Sequence, residues 1–138
     1  MKNENNNDYF FNEEEFFPQH IYQKITDIRV NQPEIISISA KSRKQRSKLT
    51  RNGRLSILAA DHPGRGVTAL GDDLFKMGNR KSYLCRVLRV LTSSDFDGFM
   101  STPDFIEDLF ILDYLMQENG GPSFLNDKVL IGCMQRGG

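Results

Sequence analysis

Soft metal-ligand chemistry is scarce in this 138-residue chain: it has two cysteines and two histidines. Cys85 and Cys133 lie far apart, as do His20 and His62, and no carboxylate pair stands at ligand spacing, so the pattern does not make a zinc site. Charge of one sign is also missing. Eighteen basic and 18 acidic residues balance to zero, so no overall field directs the chain to nucleic acid or to an anionic membrane. No apolar run approaches the roughly 20 residues that span a bilayer. The amino terminus, MKNENNNDYFFNEEEFF, is polar and acidic where a signal or transit peptide is apolar or Arg-rich. A Walker-type phosphate loop is absent, and Gly64-Arg65-Gly66 alone does not match a dinucleotide fingerprint. Without a secretory signal both cysteines read as reduced thiols. The expectation is a soluble, cytoplasmic protein with no metal and no membrane partner.

The length fits one ordinary domain, and the residues present divide it in three. Residues 1–17, rich in Asn and Glu, read as a poorly ordered polar tail. Residues 18–53 read as a helical, basic leader. Ile21, Ile25 and Ile28 recur at spacings of three and four, which predicts a short helix over Pro18 to Val30. Pro33 interrupts, and Glu34 to Lys48 is expected to form a second helix, apolar early and basic late. From Ile35 to Ala60 there are seven basic residues (Lys41, Arg43, Lys44, Arg46, Lys48, Arg51, Arg54) and no acidic one. That segregation reads as a solvated helix face; contact with nucleic acid through residues 41–54 is the lesser alternative.

Residues 54–138 repeat a unit. A strand is expected from Arg54 to Ala60, after the Asn52-Gly53 turn signal. A helix follows from about Asn79 to Ser93, with Tyr83, Leu84, Val87, Leu88 and Leu91 on one face. Then come a strand over Phe96–Met100, a helix from Pro103 to about Glu118, and a strand over Lys128–Cys133. Thr102 is placed to cap the second of these helices, Pro103 suits its first position, and Asn119-Gly120-Gly121-Pro122 ends it. Strand, helix, strand, helix, strand predicts an α/β fold with a parallel sheet and right-handed crossovers. The first and third strands are near-continuous apolar runs, as expected of strands covered on both faces. Three parallel strands close no barrel, which takes about 250 residues. The βαβαβ unit reads either as part of a larger sheet, the favoured expectation, or as an unusually small sheet covered by the amino-terminal helices.

All three strands end in polar groups: Asp61 and His62 with Arg65, Ser101 and Thr102 with Asp104, and Gln135 with Arg136. In a parallel sheet these ends converge on one rim, where a polar, phosphorylated small molecule can be held. Asp61 and His62 are adjacent and point to opposite faces, with Asp61 the one expected to look inward. A carboxylate there can act as a general base, relay a proton, or hold a lysine in position. Each residue also has a plainer role: Thr102 and Asp104 as helix caps, His62 packed beneath the rim, and Arg65 and Arg136 solvated. Cys133, Met100 and Met134 read as core.

Three motifs together, Ile57-Leu-Ala-Ala-Asp61-His62-Pro63-Gly-Arg65-Gly66, Ser101-Thr102-Pro103-Asp104-Phe-Ile-Glu107-Asp108-Leu109 and Ile131-Gly132-Cys-Met134-Gln-Arg136-Gly137-Gly138, resemble a bacterial branch of the class I aldolase-like (β/α)₈ barrels. That superfamily includes deoxyribose-phosphate aldolase and the archaeal-type fructose-bisphosphate aldolases. The likeness extends back through Ile28-Arg29 and the basic segment. It implies the amino-terminal part of a TIM barrel, with the barrel incomplete, and an activity on a phosphorylated sugar in carbohydrate breakdown. In such enzymes a lysine amine forms a Schiff base with the substrate carbonyl, with no cofactor needed, and the iminium draws off electrons so that a C–C bond can break. The resemblance makes Asp61 and His62 the catalytic candidates here, with Arg65, Thr102, Asp104 and Arg136 contacting substrate. The Schiff-base lysine lies on a later strand. Of the lysines beyond Asp61, Lys76 and Lys81 fall in or near the first crossover helix, and Lys128 enters its strand from the wrong end. The chain as it stands is therefore expected to be inactive alone, with a homo-oligomer conceivable for the full-length form. A rival from another class is a non-catalytic module whose exposed sheet edge pairs with a partner.

Overall fold

Asn12, Pro18 and Pro33 punctuate the amino-terminal third, each immediately before a helix or at its first turn. In the computed structural model, which describes residues 11–50, 52–62, 69–74 and 78–134, α1 (Glu13–Phe16) is capped by Asn12 Oδ1, which accepts from Glu15 N at 3.1 Å. Phe17 is buried and Phe11 packs against Phe16. The end of the segment expected as a loose tail is thus a helical turn anchored by aromatics; residues 1–10 lie outside the described residues. α2 (Gln19–Asn31) buries Ile25 and Ile28, and α3 (Glu34–Ser42) buries Ile35 and Ser39.

The expected helix over 34–48 stops six residues early. Beyond Ser42 the chain turns extended at Arg43, and tertiary bonds take over. Asp127 N donates to Lys44 O at 2.9 Å, Lys44 N donates to Asn126 Oδ1 at 2.9 Å, and the Arg43 guanidinium reaches Lys128 O at 2.6 Å. Arg46 donates to Asp127 O at 2.9 Å and to Asp97 Oδ1 at 3.0 Å. Two of the seven basic side chains are therefore clasps onto the amino-terminal ends of the strands, where they had been read as a solvated face.

The strands are β1 (Ile57–Ala59), β2 (Gly98–Ser101) and β3 (Val129–Gly132), parallel and in the order β1-β2-β3. α4 (Arg80–Ser93) and α5 (Pro103–Glu118) connect them, and Asn79 caps α4 through a bond from Ser82 N at 3.0 Å. Between β1 and α4, Leu70 and Asp73 bond each other's backbones in a tight turn.

Register decides the two faces. Leu58, Phe99 and Leu130 are partners, and all three join the helical core, where Phe99 is 0% exposed and tilts against Phe105. The opposite face carries Ile57, Gly98 and Val129, then Ala59, Met100 and Ile131. A Cβ on Gly98 would lie 2.5 Å from Val129 O and 2.6 Å from Ile57 Cδ1, so glycine is required where those side chains close over it. No helix among the described residues covers this face: Ala59 is exposed and Ile131 is 38% exposed. The expectation that β1 and β3 are covered on both faces is therefore corrected. Among the described residues the core lies on one side of the sheet, because α2 to α5 contribute to a single cluster around Phe99. Met134, read as core, is 87% exposed beyond the end of β3.

Candidate functional site

The parallel ladder carries β1 and β3 slightly past their formal ends. Ala60 N donates to Met100 O at 2.7 Å and Cys133 N donates to Ser101 O at 2.8 Å. Alternation then continues the open face from Ala59 to Asp61 and from Ile131 to Cys133. Their contact agrees with this: Cys133 Sγ donates to Asp61 Oδ2 at 3.8 Å, although β2 lies between their strands. Both side chains are half-buried at the carboxyl end of the sheet. Beneath them Ser101 Oγ, on the helical face, donates to Ala60 O at 2.8 Å and ties β2 to the end of β1. The result is a carboxylate and a thiol above an otherwise apolar sheet surface. Such a pair can accept and hold a proton or orient a bound polar group.

The other candidates fall differently. His62 is half-buried, in the turn beyond Asp61, with no hydrogen bond among the described residues. Thr102 occupies the cap position of α5, and its side chain bonds the Asp104 carboxylate instead of a helix N–H. Asp104 joins a network of ions: its carboxylate meets Arg80 Nη1 at 2.9 Å and its carbonyl accepts from Arg29 Nη2 at 2.6 Å. Burial acts to raise the Asp104 pKa, but the bonds from Thr102 and Arg80 outweigh it and hold the carboxyl below its usual range. Asp104 thus ties the start of α5 to the start of α4 through Arg80. Arg65 and Arg136 lie outside the described residues. Cys133, read as core, is instead the rim partner of Asp61; alternation counted outward from Ile131 could have found it.

The center of that ion network is Asp108, 2% exposed, between two arginines. Arg29 Nε and Nη2 donate to Oδ1 at 2.9 and 2.6 Å, and Arg80 Nε donates to Oδ2 at 2.7 Å. Burial alone lowers both guanidinium pKa values, and the attraction and bonds of Asp108, joined by Glu107 at Arg29 and by Asp104 at Arg80, more than reverse it. The adjoining recess, about 300 Å³ and lined by Tyr22, Thr26, Arg29, Arg80 and Asp104, is on the helical side of the molecule. Its arginines are already committed to carboxylates.

The lysines also have positions. Lys81 pairs with Glu14 at 2.6 Å, and Lys128 Nζ donates to Phe96 O at the amino-terminal end of the sheet. Neither reaches the Asp61 end; Lys76 lies outside the described residues. No cluster of three or more His, Cys, Asp or Glu suited to a metal occurs among the described residues. None of the described helices is long and apolar enough to cross a membrane.

These features define an α/β unit whose parallel strands deliver polar groups to one end and leave one face of the sheet bare. The chain belongs to the Cgl0159-like family, whose sequence profile matches residues 53–138. The crystal structure of Cgl0159 from Corynebacterium glutamicum is similar, with 35% identity and a TM-score of 0.70. The match covers 84% of this chain and 36% of that one, so the chain spans little more than a third of its relative. No curated protein matches it.

Proposed function

We propose that this chain supplies the first three strands of a class I aldolase-like (β/α)₈ barrel that breaks or forms a carbon–carbon bond in a phosphorylated sugar. The observation that carries the reading is the meeting of Asp61 and Cys133, 3.8 Å apart, at the carboxyl end of a parallel sheet whose open face is apolar. In such barrels, chemistry gathers at the carboxyl ends of strands and apolar side chains fill the interior. One further fact supports it: the strands run in sequence order and in parallel.

In this reading Asp61 is the acid–base or lysine-positioning carboxylate at the first strand end. His62 is the second catalytic candidate, and Arg65, Thr102, Asp104 and Arg136 are the candidate substrate contacts, Asp104 also binding Arg80 at the start of α4. The lysine that forms the Schiff base belongs to a later strand of the complete fold. Lys81 and Lys128 are bound elsewhere, so neither serves as that lysine in this reading, and the 138 residues by themselves are expected to form no adduct.

Borohydride trapping tests the assignment. The C. glutamicum relative, with its longer chain, is mixed with ketose and aldose phosphates and reduced, and the same is done with this chain. A covalent sugar adduct on one lysine of the relative and none here is the expected result. Lack of any adduct on the relative, with a panel of such phosphates, ends the Schiff-base reading. An adduct on this chain, or measurable aldol cleavage by it, removes the claim that it is inactive alone.

A further inference from the structure

We infer that Ser101 is the positioning residue of the rim: its hydroxyl, buried beneath Asp61, sets the approach of that carboxylate to Cys133. The inference rests on the reading of Asp61 as the working carboxylate, and adds to it the group that holds Asp61 in place.

Ser101 ends β2, the strand between the two that carry the pair, and it bonds to both neighbours. Its carbonyl accepts from Cys133 N at 2.8 Å, and its Oγ donates to Ala60 O at 2.8 Å. One residue thus fixes the peptide unit leading into Asp61 and the one leading into Cys133.

The hydroxyl also stands in for a rung of the ladder. Ala60 N donates to Met100 O at 2.7 Å, and in a parallel ladder the next rung brings the N–H of residue 102 to Ala60 O. Thr102 is the cap residue of α5, and among the described residues no such rung forms; Ala60 O accepts from Ser101 Oγ in its place. The bond is well inside the protein, with Ser101 1% exposed and Ala60 4% exposed. A buried carbonyl left without a donor is costly, so without the hydroxyl the Ala60–Asp61 peptide turns to find another. Asp61 turns with it. Its contact with Cys133 Sγ, 3.8 Å long and reaching across β2, opens on a small rotation of that peptide.

A second buried serine supplies a matched control. Ser39 is 5% exposed and donates to Phe110 O at 2.9 Å, between α3 and α5.

Alkylation of Cys133 by iodoacetamide on the full 138-residue chain, followed by mass spectrometry, reads the contact, with Cys85, 1% exposed, as the core reference thiol. A carboxylate beside a thiol disfavours the reactive thiolate. Asp61→Asn is therefore expected to speed alkylation of Cys133 near neutral pH roughly threefold or more. Ser101→Ala is expected to act in the same direction, roughly twofold or more, while Ser101→Thr, which keeps the hydroxyl, and Ser39→Ala stay at the parent rate. In the Asp61→Asn background Ser101→Ala is expected to add nothing; His62, beside Asp61, is common to every variant. An effect of Ser101→Ala that persists in that background, or that Ser39→Ala reproduces, means general loosening and overturns the proposal. So does a folded Ser101→Ala chain, or an Asp61→Asn chain, that reacts at the parent rate. Should Ser101→Ala not fold, the isosteric pair Ser101→Val and Ser101→Thr takes its place, and equal rates for those two overturn the proposal. The two readings fail separately. Rates as expected, with no borohydride adduct on the C. glutamicum relative, remove the aldolase chemistry alone; an adduct there, with rates indifferent to Ser101→Ala, removes the positioning alone.

Discussion

At the scale of single residues, two aspartates of α5 behave in opposite ways. Asp108 is held between Arg29 and Arg80, and replacing it leaves two guanidinium groups facing each other without their shared counter-ion. Removing one member of a fully buried pair costs about 3–5 kcal/mol. Both arginines keep some contact with water, at 30% and 40% side-chain exposure, so Asp108→Asn is expected to cost less than that, about 2–3 kcal/mol. Urea unfolding measures this, and a loss under about 0.5 kcal/mol would show the cluster to be ornamental. Asp113 is the contrasting case. Burial pushes its carboxyl up, against the bonds it accepts from Ser123, Phe124 N and Gln117. A carboxyl raised in the folded state binds its proton more tightly there than in the unfolded chain. Its contribution is then fully present below the unfolded pKa and declines as pH rises through the folded one. The stability of the protein relative to Asp113→Asn is accordingly expected to fall as pH rises from about 4 toward neutrality. A difference that rises over that interval refutes the assignment. Neither aspartate was legible in the sequence. Arg29 and Asp108 are 79 residues apart, and no local period records a pairing of that kind. Asp61 was legible, because an apolar run ending in a charge is a local event.

At the scale of elements, legibility follows how local the determinants are. α5 was expected from Pro103 to about Glu118 and spans Pro103–Glu118, because Thr102-Pro103-Asp104 and Asn119-Gly120-Gly121-Pro122 write both ends into the chain. α3 was expected too long, because its end is set by the loop before β3. The strands were found but drawn too long, β1 by three residues at its start and one at its end, since apolarity persists beyond the pairing partner. Two glycines of the sheet give a matched test. At Gly98 an added Cβ meets Val129 O at 2.5 Å, a backbone atom that cannot rotate away. At Gly132 the nearest foreign atom would be Pro103 Cγ at 3.8 Å, an ordinary contact. Gly98→Ala is therefore expected to cost about 1–3 kcal/mol, and Gly132→Ala to stay within about 0.5 kcal/mol of the parent. Thermal and urea unfolding of the two variants side by side decide it; equal effects would mean that the sheet tolerates strand separation at β2.

At the scale of the whole molecule, the family match begins at residue 53, but the core does not. Phe17, Ile25, Ile28 and Ile35 come from before that boundary and are buried in the same cluster as Phe99, Leu109 and Leu112. α2 and α3 both pack on α5, and Ser39 Oγ bonds Phe110 O at 2.9 Å. Arg29 and Arg46, which clasp Asp108 and Asp97, also lie upstream. Burying an apolar side chain of this size is worth about 1.5–3 kcal/mol, so the four together contribute roughly 6–12 kcal/mol. That is comparable to the entire 5–15 kcal/mol stability typical of a domain. Among the described residues, the core is this single cluster on one face of the sheet. A fragment cut at residue 53 is therefore expected to lose cooperative folding, with collapsed proton chemical-shift dispersion and no thermal transition, while the 138-residue chain keeps both. A dispersed spectrum from the fragment would mean that the βαβαβ unit is self-sufficient, and that the leader is a separate attachment to it. The leader would then have to be explained by what it binds, and not by the helices it covers.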